Sequence, residues 1–107
     1  MPNVLTRLAT TIESRKGEDE KKSYAAKLFK RGPEKCAEKF GEEAIEAIIA
    51  AAKGDTKNLT EEAADVLFHL FVMLSSRDVK FDDVLKELER REGKSGIVEK
   101  AERKKKT

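Results

Sequence analysis

Two short acidic motifs are the residues of this sequence whose types and spacing best fit chemistry. The first lies in GEEAIEA, at Gly41 to Ala47, where Glu43 and Glu46 are three positions apart. The second lies in EEAADVLFHL, where Glu62 and Asp65 have the same spacing. Residues three or four positions apart share one face of a helix, so each motif predicts a pair of carboxylates that project together.

Like charges beside apolar residues need a compensating partner. A carboxylate that is shielded from water and unpaired costs several kcal/mol, and neighbouring carboxylates increase that cost. Mg²⁺ accepts carboxylate oxygens, keeps several waters and commonly completes its coordination with substrate phosphates. We therefore predict a Mg²⁺ site between two antiparallel helices, with the ligands Glu43, Glu46, Glu62 and Asp65. The apolar neighbours of the second motif are Ala63, Ala64, Val66, Leu67, Phe68, Leu70 and Phe71, so we expect that the carboxylates cannot all reach bulk water.

A solvated helix face is the alternative interpretation of each motif. In a chain of which 41% is charged, a lone Glu-x-x-Glu usually lies on such a face and is stabilised by lysines one turn away. Two motifs, one of them inside an apolar helix, favour the metal site over this alternative.

The elements that position these residues are helices. Leu5, Leu8 and Ile12 have the spacing that lines one helix face, and no alternating stretch is long enough to predict a strand. Caps and breakers bound the following helices, which are predicted from Ser23 to Arg31, from Pro33 to about Lys53, from Asp55 or Thr60 to about Ser76, from Asp82 to Arg91, and over Val98 to Arg103. The fold class is all-α, and we expect four to five of these segments to form a helical bundle.

The overall composition limits the classes of partner. The chain has 23 basic and 21 acidic residues and a net charge of +2, so neither nucleic acid nor a membrane is predicted as a partner. The most apolar run, Val66 to Leu74, is much shorter than the ~20 residues of a membrane helix. The length of 107 residues fits one domain, which we assign to 1–103, with a basic disordered tail at 104–107.

The N-terminus and the cysteine content predict the compartment. The stretch MPNVLTRLATT has no long apolar segment of the kind that signal peptides contain, and the single Cys36 has no partner for an intrachain disulfide. We therefore expect a cytoplasmic protein.

The acidic motifs and their flanks resemble a known family. GPEKCAEKFGEEAIEA followed by EEAADVLFHLFVML closely resembles the phosphoribosyl-ATP pyrophosphohydrolases of histidine biosynthesis, which are all-α nucleotide pyrophosphohydrolases related to the MazG-type enzymes. SYAAKLFKRG, His69 and GKSGIVEKAERK extend the resemblance over nearly the whole chain. Phe68 departs from it where a tyrosine is frequent, and Lys80 departs where a small capping residue is expected.

The resemblance implies both a reaction and a set of site residues. The reaction is Mg²⁺-dependent hydrolysis of the α,β-phosphoanhydride of 1-(5-phosphoribosyl)-ATP to 1-(5-phosphoribosyl)-AMP and pyrophosphate, the second step of histidine biosynthesis. Glu42 matches an additional glutamate that commonly precedes the first pair, and it is either a further ligand or the group that orients and deprotonates water. The expected catalytic residues are Glu42, Glu43, Glu46, Glu62 and Asp65.

Basic residues on either side of the acidic motifs are the candidates for substrate binding. Lys35 and Lys39 precede the glutamates and either contact phosphates or, for Lys39, pair with Glu43. His69 lies one turn after Asp65, and we favour a hydrogen-bonded core residue over a site residue. A phosphate-binding corner at the start of the last helix is predicted from Ser95, Gly96, Lys100 and Arg103.

The sequence leaves two alternative functions open and also predicts an oligomeric state. A MazG-like housecleaning enzyme would keep the acids and hydrolyse ordinary or damaged nucleoside triphosphates. A noncatalytic helical interaction module would leave the acids exposed and replaceable. The apolar run Val66 to Leu74 and the family resemblance predict a homodimer that completes the core, in which the partner's SGIVEKAER segment could help to form each pocket.

Overall fold

A computed structural model describes residues 3–93 and 96–106, and these residues form six helices and no strand. The helices are α1 (Val4–Ser14), α2 (Tyr24–Arg31), α3 (Pro33–Lys53), α4 (Thr56–Ser76), α5 (Phe81–Arg91) and α6 (Gly96–Lys106). The all-α fold class is confirmed. The described helices number six, where four to five were expected in the bundle, and the predicted last helix over Val98 to Arg103 is longer than expected, at Gly96–Lys106. The division into a domain at 1–103 and a disordered tail at 104–107 stays a prediction.

Local capping explains where the central helices begin and end. The hydroxyl of Ser23 accepts a hydrogen bond from the backbone N–H of Ala26 at 3.1 Å and so starts α2. Gly32 ends α2 with a φ of 98°, and Pro33 opens α3 at a position where no amide is needed. Gly54 closes α3 in the left-handed conformation, with a φ of 73°.

The start of α4 was ambiguous in the sequence between two capping residues. In the structure, the carboxylate of Asp55 accepts from the backbone N–H of Asn58 at 3.1 Å and caps the helix. The other candidate, Thr60, lies inside α4 and donates its hydroxyl to the carbonyl of Thr56 at 2.9 Å. Helix α4 therefore follows α3 after a two-residue turn, and the two longest helices form an antiparallel hairpin.

Helices α1 and α2 cover one end of this hairpin. The core consists of Ile12, Ala25, Leu28, Cys36, Phe71 and Val72. Phe81 at the start of α5 packs against Phe71, with ring centroids 4.6 Å apart. The core therefore lies at the end of the hairpin that is far from the Gly54–Asp55 turn.

The half of the hairpin near the turn keeps an exposed apolar surface. We call it the apolar hairpin face; it consists of Ile45, Ile48 and Ile49 on α3 and Leu67 on α4, with exposures of 58%, 65%, 48% and 40%. This location differs from the expected one, because α1 and α2 bury Phe71 and Val72 within the predicted run at Val66 to Leu74. Among the described helices, none is long and apolar enough to cross a membrane.

Candidate metal centre

The hairpin brings the two acidic motifs together. Carboxylate oxygens of Glu43 on α3 and of Glu62 and Asp65 on α4 all lie within 4.8 Å of one another. The short turn at Gly54 and Asp55 sets the register, because it places the middle of α3 beside the first half of α4. Three of the four predicted ligands thus form one cluster, which we call the carboxylate cluster.

Glu46, the fourth predicted ligand, borders the carboxylate cluster. It lies one turn after Glu43 on α3 and is exposed. Shielding from solvent is the main cause that raises the pKa of Glu43, and repulsion from Glu46 adds to it. The pKa of Glu62 is raised by shielding too, and then by the neighbouring carboxylate of Glu46. Glu46 is therefore close enough to act with the cluster.

One carboxylate oxygen of the cluster indicates whether the site suits a cation. The Oε2 atom of Glu62 is shielded from solvent, and it has no hydrogen-bond partner within residues 3–93 and 96–106. A carboxylate oxygen in that state is unfavourable unless a cation or a proton satisfies it. Several carboxylate oxygens are the donor set that Mg²⁺ and other hard divalent cations prefer, so the residues fit such an ion.

The exposure of the four acids is uneven. Glu43 and Glu62 are half-buried, whereas Glu46 and Asp65 are exposed. The expectation that not all of them reach bulk water is confirmed at Glu62 Oε2, but the apolar neighbours shield less than predicted. Ala63, Ala64 and Leu67 are themselves exposed. The cluster is therefore partly accessible to solvent.

Glu42 is held outside the cluster by a lysine. Its carboxylate accepts from Nζ of Lys39 at 2.8 Å, and this interaction lowers the pKa of Glu42 below its usual range. Lys39 thus pairs with Glu42 rather than with Glu43, since Glu43 is oriented towards the α4 acids. A lowered pKa makes Glu42 a weaker base, and its predicted role in activating water stays a prediction.

His69 connects α4 to α2. It is 5% exposed, and its Nδ1 lies 2.8 Å from the carbonyl oxygen of Asp65. A carbonyl only accepts, so Nδ1 carries the proton and donates, which leaves Nε2 to accept from the hydroxyl of Tyr24 at 3.3 Å. The expectation of a hydrogen-bonded core histidine is confirmed, and the ring supports the helical turn that carries Asp65.

The predicted phosphate-binding corner lies apart from the main helix packing. Gly96, Lys100 and Arg103 belong to α6, whereas the principal packing of the described chain is among α1 to α4. Ser95 lies outside the described residues. The substrate-binding role of these four residues stays a prediction.

A basic cavity beside the cluster was only half predicted. It has a volume of about 230 Å³ and lies between α2 and α3; its lining residues are Tyr24, Lys27, Leu28, Arg31, Lys35, Lys39 and Glu42. Lys35 and Lys39 were predicted from the sequence, whereas Lys27 and Arg31 were not. Their spacing of four residues on a short capped helix was the available signal, since it places both on one face of α2.

The fold and the site together define a class of protein. An all-α chain whose longest hairpin presents Glu-x-x-Glu opposite Glu-x-x-Asp has the architecture of the all-α nucleotide pyrophosphohydrolases. Within this class, the family model described as phosphoribosyl-ATP pyrophosphohydrolase matches residues 5–92. The chain belongs to that family.

Curated relatives of the same family are similar to this chain over nearly its full length. A Rhodobacter capsulatus protein named phosphoribosyl-ATP pyrophosphatase is 68% identical over 99 residues, which are 92% of this chain and 96% of the relative. Proteins of the same name from Dinoroseobacter shibae and Cereibacter sphaeroides are 66% and 65% identical, over 94% of this chain and 99% and 98% of their own lengths.

The raised pKa of Glu62 predicts an unusual effect on stability. The folded chain without metal binds a proton at Glu62 more tightly than the unfolded chain, in which the pKa of this glutamate is near 4.5. Protonation of Glu62 therefore stabilises the folded chain fully below pH 4.5. This stabilisation is lost as the pH rises through the higher pKa that Glu62 has in the folded chain. In EDTA at neutral pH, we expect Glu62→Gln to melt at a higher temperature than the wild type, with the difference vanishing in acid.

The matched control is Glu61→Gln, because Glu61 is the exposed neighbour of Glu62 on α4. It should leave the melting temperature in EDTA nearly unchanged. A Glu62→Gln variant that is less stable than the wild type under these conditions would show that repulsion at the cluster is negligible.

Proposed function

We propose that this chain hydrolyses the α,β-phosphoanhydride of 1-(5-phosphoribosyl)-ATP, giving 1-(5-phosphoribosyl)-AMP and pyrophosphate in the second step of histidine biosynthesis. Membership of the phosphoribosyl-ATP pyrophosphohydrolase family and the names of the relatives support this substrate. A cytoplasmic location belongs to the same proposal.

The carboxylate cluster is the observation that carries the proposal. Glu43, Glu62 and Asp65 converge from two helices, and the shielded Oε2 of Glu62 lacks a partner among the described residues. A solvated helix face would leave this oxygen hydrated. The cluster therefore supports a cation-dependent enzyme over a noncatalytic interaction module.

Mg²⁺ is the proposed cofactor, and Glu43, Glu46, Glu62 and Asp65 would hold it. When bound, the ion supplies charge neutralisation at the phosphates and lowers the pKa of water. Glu43 and Glu62 are half-buried and would be the more shielded ligands. Glu46 and Asp65 are exposed, so a substrate phosphate in solvent can reach them.

Other side chains position these acids and the phosphates. His69 donates to the carbonyl of Asp65 and so fixes the turn from which that carboxylate projects. Lys39 holds Glu42 at 2.8 Å and, with Lys35, lines the cavity next to the cluster. Both lysines are partly shielded, with side-chain exposures of 26% and 31%, which strengthens their attraction for phosphate oxygens.

The test is pyrophosphate release from 1-(5-phosphoribosyl)-ATP and from canonical triphosphates, each with Mg²⁺ and with EDTA. We expect kcat/KM for 1-(5-phosphoribosyl)-ATP to exceed that for ATP by at least about 100-fold, because the second ribose phosphate adds contacts that ATP lacks. Chelation should abolish release.

Three other outcomes of this test would contradict parts of the proposal. Equal turnover of all triphosphates would indicate a MazG-like housecleaning enzyme. Release that survives exhaustive chelation would contradict the metal assignment. The absence of release from every substrate in Mg²⁺ would leave the interaction module as the better interpretation.

A further inference from the structure

The cavity between α2 and α3 carries a concentrated positive charge. Lys27 and Arg31 reach it from α2, and Lys35 and Lys39 reach it from α3, so both pairs are spaced by one helical turn. Glu42 is the single carboxylate among the residues that line it. We call this cavity the basic groove. Four cations that face one carboxylate repel one another, and an anion between them would relieve that repulsion.

Two of these cations have no carboxylate partner. In the described part of the chain, the side chains of Lys27 and Arg31 form no ion pair, whereas Lys30 on the same helix pairs with Glu20 at 3.1 Å. Lys35 and Lys39 are paired with Glu38 and Glu42, at 3.2 Å and 2.8 Å. The unpaired charge of the groove is therefore on the α2 side, and it is available to a ligand.

The basic groove adjoins the carboxylate cluster. Glu42 lines the groove, and its neighbour Glu43 belongs to the cluster. Tyr24 also lines the groove, and its hydroxyl bonds to His69, which in turn bonds to the carbonyl of Asp65. The groove and the cluster therefore meet at two consecutive residues of α3, and Tyr24 and His69 connect them through hydrogen bonds.

We infer that the basic groove is the subsite for the pyrophosphate moiety, formed by the β- and γ-phosphates of the substrate and retained by the product. This inference rests on the proposed function. The volume of about 230 Å³ suits two phosphoryl groups and is below the ~300 Å³ at which pockets for drug-sized ligands begin. The guanidinium of Arg31 offers paired donors that match two phosphate oxygens, while Lys27 acts as a point charge.

The direct test is calorimetric binding of pyrophosphate, in EDTA so that the metal does not contribute. Lys27→Gln and Arg31→Gln are each expected to weaken binding about 10-fold, and Arg31→Lys is expected to recover part of the loss. The same variants should raise KM for 1-(5-phosphoribosyl)-ATP more than they lower kcat. Both side chains are exposed, so the variants should keep the wild-type circular dichroism spectrum and melting temperature.

Lys30→Gln is the matched control, because it removes the same charge from the same helix at a side chain that is 74% exposed and paired with Glu20. Wild-type affinity in Lys27→Gln and Arg31→Gln, or a loss no larger than that of Lys30→Gln, would overturn the inference. Ribose 5-phosphate is the second probe: a loss of affinity confined to this probe would assign the groove to the ribose phosphate and would also overturn it.

The binding measurement needs no turnover, so it separates the two proposals. If the wild type releases no pyrophosphate from 1-(5-phosphoribosyl)-ATP but binds pyrophosphate through Lys27 and Arg31, the proposed substrate is wrong and the subsite stands. If turnover is normal and substitution of Lys27 or Arg31 leaves the affinity for pyrophosphate unchanged, only the subsite is wrong.

Discussion

Asp65→Asn and Glu46→Gln are each expected to lower turnover of 1-(5-phosphoribosyl)-ATP by at least about 1,000-fold while the helices remain folded. The amide has nearly the shape of the carboxylate, so packing is preserved, but the charge that binds the cation is removed. Both side chains are exposed, and removal of a negative charge beside Glu43 and Glu62 relieves repulsion. Initial rates across a Mg²⁺ titration, with circular dichroism melting curves, provide the measurement.

Glu61→Gln is again the appropriate control, since it removes the same charge from the same turn of α4 at a position outside the carboxylate cluster. It should retain nearly full activity. Near-normal turnover of either test variant at saturating Mg²⁺ would remove that residue from the set of essential ligands.

The second large effect concerns assembly. The apolar hairpin face exposes three isoleucines and a leucine on the hairpin that carries the carboxylate cluster. The three isoleucines share one face of α3, and exposed apolar residues grouped in this way indicate an interface. A twofold dimer would bury the same face of both chains. We expect sedimentation at twice the chain mass of 12.0 kDa. Ile48→Glu should produce the monomer and lower activity by at least about 10-fold, because the hairpin would lose its lateral support.

Val4→Glu provides the comparison, because Val4 is as exposed as Ile48, at 65%, but lies on α1 away from the hairpin turn. It should leave both mass and activity unchanged. A fully active wild-type species of 12.0 kDa at micromolar concentration would sink the dimer and leave the apolar hairpin face unexplained.

Features that depend on neighbouring residues were predicted well from the sequence. Ser23, Gly32 and Gly54 bound their helices as expected, because capping is decided within a few residues of the helix end. The convergence of Glu43 and Glu62 followed from the same information, since a short turn between two long helices forces them to be antiparallel.

Features that depend on packing between distant helices were predicted less well. Periodicity identifies the apolar residues of α4, but it does not say that α1 and α2 cover Phe71 while Leu67 stays exposed. Half of the basic groove was not predicted for the same reason, because Lys27 becomes part of a cavity only when α2 lies against α3.

The two-residue turn at Gly54 and Asp55 also affects how the chain folds. The acidic motifs meet across a hairpin whose partners are only roughly 20 residues apart, so their contact has a low contact order and a small loop-closure entropy. Contacts between α1 and α4 join far more distant parts of the chain. This topology favours formation of the hairpin before the core is complete. We therefore expect repulsion among the carboxylates to slow folding as well as to lower the final stability, and divalent cations present during synthesis to relieve both effects.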